Sequence, residues 1–169
     1  MAYTFPIKAS DLKYYPHFDA PISLSNIEAL VTDPVAVAQR KFYPFLKFEE
    51  EWQPYRSKPD GKPEKKTRPI RFGARGDAYI FSYYRRLLSE KYENRLTELA
   101  SRNGGKCNID FAQDAIDKIL EFGDCVTIAL DVKSFFESLD HKRIKLLWKS
   151  LLGCEELPED HYAVFKNIT

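Results

Sequence analysis

Between Cys125 and Asp131 the chain reads Cys-Val-Thr-Ile-Ala-Leu-Asp, an apolar run that stops on a carboxylate. A run of this length, rich in branched side chains, predicts a strand buried on both faces. Asp131 would then sit on the rim of a sheet, where open α/β folds bind their ligands. A carboxylate in that position suits a hard metal ion engaged in phosphate chemistry. Two adjacent phenylalanines, Phe135 and Phe136, and a helix start at Asp140-His141-Lys142 follow. No second strand of the same kind is legible. From position alone, a turn or helix-entry aspartate is the commoner meaning of such a residue.

At 169 residues the chain supports one domain with a substantial core, or one and a half small ones. Aromatic residues make up 14% and are spread throughout, which fits a packed globular protein and excludes a disordered tail. Formal net charge is +1, but its distribution is uneven. From Arg56 to Arg86 ten Lys or Arg residues stand against Asp60, Glu64 and Asp77. That segment can present one positive surface to phosphates, and a solvated lysine-rich hairpin accounts for the same charges equally well. Cys107, Cys125 and Cys154 are far apart with no CxxC or Cys/His cluster, which argues against zinc. Cys125 reads as a small core residue. Met1 to Lys13 lacks the pattern of a signal peptide and no apolar run reaches membrane-spanning length, so a cytoplasmic setting with no membrane partner is expected.

Local signals organise the rest. Phe5 to Tyr15 is irregular and aromatic, and Ser25-Asn26-Ile27-Glu28 is a capping box opening a short helix through Leu30. Asp33-Pro34 starts another helical turn. Phe42 to Phe48 alternates as an extended segment, with Pro44 favouring an edge. Trp52 to Tyr55 and Thr67 to Phe72 flank Pro59-Asp60-Gly61-Lys62-Pro63, a hairpin pattern with a long loop. Ala78 to Leu99 keeps a helical period and ends in Ser101-Arg102-Asn103-Gly104-Gly105. Asp110 to Glu121 is a second such helix, with Phe111, Ala115, Ile116, Ile119 and Leu120 inward and Gly123 beyond its end. A third runs from Asp140 to about Leu152 with Ile144, Leu147, Trp148 and Leu151 inward. A fourth opens at Leu157-Pro158-Glu159-Asp160, and the chain is expected to be cut at Thr169.

The stretch Asp131-Val132-Lys133-Ser134-Phe135-Phe136-Glu137-Ser138-Leu139-Asp140-His141 closely resembles the first catalytic motif of bacterial reverse transcriptases of the retron and group II intron lineage. Lys65-Lys66-Thr67-Arg68-Pro69-Ile70 is similar to the basic strand of their fingers, and Ala78 to Leu88 to the helix after it. Gly105-Lys106-Cys107-Asn108-Ile109-Asp110-Phe111-Ala112 looks like a segment of the defence-associated members. The resemblance spans roughly Thr67 to Leu152 and is most specific around Asp131.

The resemblance implies an α+β fold: the helix-rich fingers and palm of a right-hand polymerase, with a β-hairpin in the fingers and a palm strand ending in a catalytic Asp. Residues 1–50 would form an N-terminal extension, 51–124 the fingers and 125–169 the first part of the palm. Asp131 would be the catalytic, metal-binding carboxylate, with the Val132 carbonyl beside it, sharing two Mg2+ ions. Lys65, Lys66 and Arg68 would grip the incoming nucleotide, Arg68 through two phosphate oxygens at once. Phe136 would exclude the ribose 2′-hydroxyl, and Arg71 and Arg85 would contact nucleic acid. Implied partners are an RNA template, in particular a non-coding RNA, dNTPs and the cDNA product, in anti-phage defence, and a homo-oligomer is compatible with this. The family's Tyr/Phe-x-Asp-Asp motif is not found here, and no Asp-Asp pair occurs in the chain. Two metal ions about 3.5–4 Å apart need more than one carboxylate, so this chain alone is expected to be inactive.

Plainer readings stand beside these. Asp140 reads as an N-cap, Glu137 as solvated, and one of Phe135 and Phe136 as core, because neighbours in sequence point apart. His141 and His161 read as helix-face residues without ligand spacing. Arg85 and Arg86 suit either a nucleic-acid backbone or the solvated face of a long helix. Two further functions fit the whole: a non-catalytic RNA-binding module that uses the basic hairpin from Arg56 to Arg71, and a subunit completed by carboxylates from a partner chain.

Overall fold

A computed structural model describes residues 19–52, 66–92, 107–132, 135 and 137–169. Among them the chain is an α+β mixture of six helices and one two-stranded antiparallel hairpin. In chain order these are α1 (Leu24–Thr32), α2 (Pro34–Ala38), β1 (Leu46–Trp52), β2 (Lys66–Phe72), α3 (Arg75–Tyr92), α4 (Asn108–Phe122), α5 (His141–Leu152) and α6 (Glu159–Ile168). None of the described helices is long and apolar enough to cross a membrane. Two compact units form. One comprises the described residues up to Arg85 together with Pro158–Thr169, the other those from Arg86 to Leu157.

The helix boundaries follow from local capping chemistry. Ser23, two residues earlier than the expected Ser25, caps α1 by accepting from the Asn26 N–H at 3.3 Å. Asp33 caps α2 by accepting from Val35 and Ala36 at 3.0 and 3.1 Å, with Pro34 at the first helical position. Asp140 does the same for α5 through Lys142 and Arg143 at 2.8 and 3.3 Å. Gly153 ends α5 at φ 67°, in the left-handed region where a side chain is strained.

In the first unit α1, α2, α3 and α6 share one core. Ile27, Val31 and Val37 from α1 and α2 are buried, as are Tyr79, Ile80, Tyr83 and Tyr84 from α3 and Val164 and Phe165 from α6. Each such side chain contributes about 1.5–3 kcal/mol of apolar burial. Helix α6 packs on α2. It is tied to α3 by the Tyr84 hydroxyl, which donates to Asp160 Oδ2 at 2.6 Å, and by the His161 ring, edge-on to Tyr84 at 4.8 Å. His161 is 1% exposed, so it is a core residue and not the helix-face residue its spacing suggested.

The hairpin is joined to α3 at its base. Asp77, 1% exposed in the first turn of α3, accepts from Arg40 Nε at 2.6 Å and from the Tyr43 backbone N–H at 2.9 Å. Phe42 and Phe45 both stack on Phe81, with centroids 5.5 and 5.7 Å away. A Cβ at position 76 would lie 2.7 Å from the end of the Arg40 guanidinium, so that side chain would have to shift to admit one.

Three expectations are corrected. The first hairpin strand is Leu46–Trp52, upstream of the expected Trp52 to Tyr55, and Pro44 lies outside it. Residues 125–131 form no strand: the backbone pairs with nothing in a sheet, and Val126 and Leu130 are 89% and 92% exposed. The palm strand ending in Asp131 is therefore not formed among the described residues. A strand needs a hydrogen-bonded neighbour, which an apolar run cannot supply by itself. Cys125 is exposed with that run and is not a core residue. Third, Ile116, Ile119 and Leu120 of α4 and Leu147 of α5 are exposed, whereas Trp148 is buried as expected. The hairpin tip with Asp60-Gly61, the aromatic stretch Phe5 to Tyr15, the last turns expected up to Leu99 and the glycine turn at 101–105 lie outside the described residues.

Two outcomes are expected. Asp77→Ala leaves the three-quarters-buried Arg40 side chain without its carboxylate and should lower stability by about 3 kcal/mol, read from the urea midpoint. Burial holds His161 below its ordinary pKa, partly opposed by the Asp160 carboxylate. Below about 6.5 the unfolded chain thus binds the extra proton more readily than the folded one. Stability should be complete above about pH 6.5 and fall as pH drops from there toward the folded value. Thermal melts across that range should show this slope, and His161→Phe should flatten it.

Candidate functional site

Antiparallel pairing sets β1 against β2 with Leu46 opposite Phe72, Lys47 opposite Arg71, Phe48 opposite Ile70, Glu50 opposite Arg68 and Trp52 opposite Lys66. Side chains alternate faces along a strand. One face of the hairpin carries Leu46, Phe48, Glu50, Arg68, Ile70 and Phe72, and the other Lys47, Glu49, Glu51, Thr67, Pro69 and Arg71. Arg68 and Arg71, three residues apart, consequently lie on opposite faces, and both are exposed.

The cross-strand neighbours differ as much as the faces do. Glu50 stands opposite Arg68, an opposite-charge pair of the kind that stabilises a sheet and lowers the net positive charge there. Arg71 has Lys47 opposite it, so two cations meet at that position. Lys47 Nζ also lies 2.8 Å from Glu49, which holds that carboxyl below its ordinary pKa through a hydrogen bond and charge attraction. The acidic run Glu49-Glu50-Glu51 lies outside the segment whose charge stands out in the sequence, and the fold returns it alongside β2. Two other charged residues serve as fold contacts: Asp77 holds Arg40, and the Arg75 backbone N–H donates to Asp19.

Asp131 and Val132 belong to the second unit, and both are exposed. Asp131 Oδ1 accepts from the Val132 N–H at 2.9 Å, which fixes the carboxylate beside the next peptide. Past Asp131, the Ser138 N–H and hydroxyl both bond the Phe135 carbonyl, at 3.3 and 2.9 Å, and this turn delivers the chain to the Asp140 cap of α5. The carboxylate and the Val132 carbonyl are hard oxygen donors, which matches magnesium in kind. Among the described residues no group of three or more His, Cys, Asp or Glu side chains could hold a metal ion. No step through a metal follows from these residues alone.

Of the other candidates, Lys66 is described as β2 backbone, without its side chain. Lys65 and Phe136 lie outside the described residues. Arg85 is exposed on α3 beside the half-buried Arg86. Sequence reasoning missed Lys47 as the neighbour of Arg71. The alternation of Leu46 and Phe48 with Lys47 and Glu49 carried that signal, once β1 is placed at residue 46 instead of 52. Asp160 was likewise read as a helix start and is buried beneath Tyr84. No protein-family model matches the chain, and comparison with curated proteins finds no match.

Proposed function

We propose that this chain is the fingers and first palm segment of an RNA-directed DNA polymerase, a reverse transcriptase of the right-hand polymerase fold. The reading rests on one observation, the Asp131 to His141 stretch, in which an aspartate closes an apolar run and two aromatics lead into a capped helix. An exposed Asp131 carboxylate and a hairpin bearing exposed Arg68 and Arg71 support it.

In the complete enzyme a primer 3′-hydroxyl attacks the α-phosphate of a dNTP and pyrophosphate leaves. Asp131 and the Val132 carbonyl would hold magnesium in part, and the ion would supply neutralisation of the reacting oxygens. Arg68 provides a planar guanidinium for the triphosphate, with Lys65 and Lys66 adding charge, and Phe136 selects against ribonucleotides. Arg71, with Lys47 across the hairpin, and Arg85 meet the nucleic-acid backbone. Splitting Arg68 and Arg71 between two faces lets the hairpin hold nucleotide on one side and template on the other. A cytoplasmic protein copying a non-coding RNA into cDNA for defence against phage is the setting that fits this assignment.

In the full-length protein Asp131→Ala is expected to abolish primer extension while circular dichroism and melting temperature stay unchanged. Polymerisation by that folded variant would overturn the assignment. Arg71→Ala should weaken binding of an RNA oligonucleotide uniformly across sequences and reduce its salt slope by about 1. Arg68→Ala should leave that slope unchanged and raise the KM for dNTP. RNA binding by a chain indifferent to magnesium and nucleotide would favour the RNA-binding module instead.

A further inference from the structure

We propose that two copies of this chain associate about a two-fold axis, with α4 of each copy packed against α5 of the other. Helix α4 is exposed along the whole of its described surface apart from the half-buried Phe111. Ile109, Ile116 and Leu120 recur at helical spacing, so they form one apolar stripe. Asp110, Asp117 and Glu121 run beside that stripe on the same helix. From Cys107 to Val132 there are six acidic residues and one cation, Lys118.

Helix α5 has the opposite composition. Its buried Trp148 fixes the inner face, and Leu146 and Leu147 project from the outer one. Lys142, Arg143 and Lys149 lie around those leucines, and the helix contains no Asp or Glu. Exposed apolar surface rimmed by charge marks an interaction site, and these two rims are complementary. An α4–α4 contact would set acid against acid, and an α5–α5 contact base against base, each unfavourable. Pairing α4 with the partner's α5 satisfies both. A two-fold axis repeats that contact, which doubles the buried area and leaves neither face open, whereas a head-to-tail arrangement would close only as a larger ring or continue into a filament. The surface bonds that Asp117 makes to Gln113 and Glu121 to Lys118 contribute little in water and are readily exchanged for a partner's cations.

Sedimentation equilibrium of the full-length protein should show a reversible dimer that weakens as salt rises. Asp117→Lys with Glu121→Lys should weaken it by about tenfold or more, and Lys142→Glu with Lys149→Glu should do the same. An equimolar mixture of the two double variants should dimerise again, because each acidic face then meets a basic one in both contacts. Circular dichroism of each variant establishes that it is folded. A wild-type chain that stays monomeric, a dimer untouched by either double variant, or folded variants whose mixture fails to associate would each overturn the proposal.

Discussion

The carboxylate of Asp77 is the constraint on which the first unit depends. It is buried in the opening turn of α3, where the backbone N–H groups and the helix dipole favour negative charge. From there it reaches back to the Arg40 guanidinium and the Tyr43 peptide, so it ties the segment before β1 to the helix after β2. Both ends of the hairpin are thereby referred to α3. The stacking of Phe42 and Phe45 on Phe81 adds apolar contact at the same junction. A buried charge needs both an ion partner and hydrogen bonds, and Asp77 has both from residues more than thirty positions away.

Once the hairpin is fixed, the charge pattern of the sequence changes meaning. The segment from Arg56 to Arg86 is strongly basic as a string of residues, yet in the fold its second strand lies against three glutamates of the first. Arg68 is set against an acid and Arg71 against another cation. Electrostatic potential follows from spatial neighbours, and on the face bearing Lys47 and Arg71 the two cations are matched by Glu49 and Glu51.

Features written in one short stretch of chain were legible in the sequence. The Asp33 and Asp140 caps, Pro34 at the start of α2 and the glycines after α4 and α5 all depend on residues within a few positions of one another. Features that depend on distant partners were not legible. The apolar run from Cys125 has the composition of a buried strand but gains no neighbour among the described residues. His161 looks like a surface histidine until Tyr84, far earlier in the chain, closes over it. The inward faces assigned to α4 and α5 followed the helical period correctly as stripes, but the period cannot say whether a stripe is covered. For the site, the motif singled out Asp131, and its carboxylate is exposed.

The first unit is discontinuous, and this affects the order in which it can form. Its core is completed by Val164 and Phe165 of α6, which follow the whole of the second unit in the chain. A ribosome therefore releases α1, α2, the hairpin and α3 well before the helix that closes over them. Until then Val37 and Tyr84 lack a cover, and closing the loop formed by residues 86–157 carries an entropic cost that precedes any reward. A second unit that has already folded shortens the effective length of that loop. Within the first unit, α6 is thus the last of the described helices to dock.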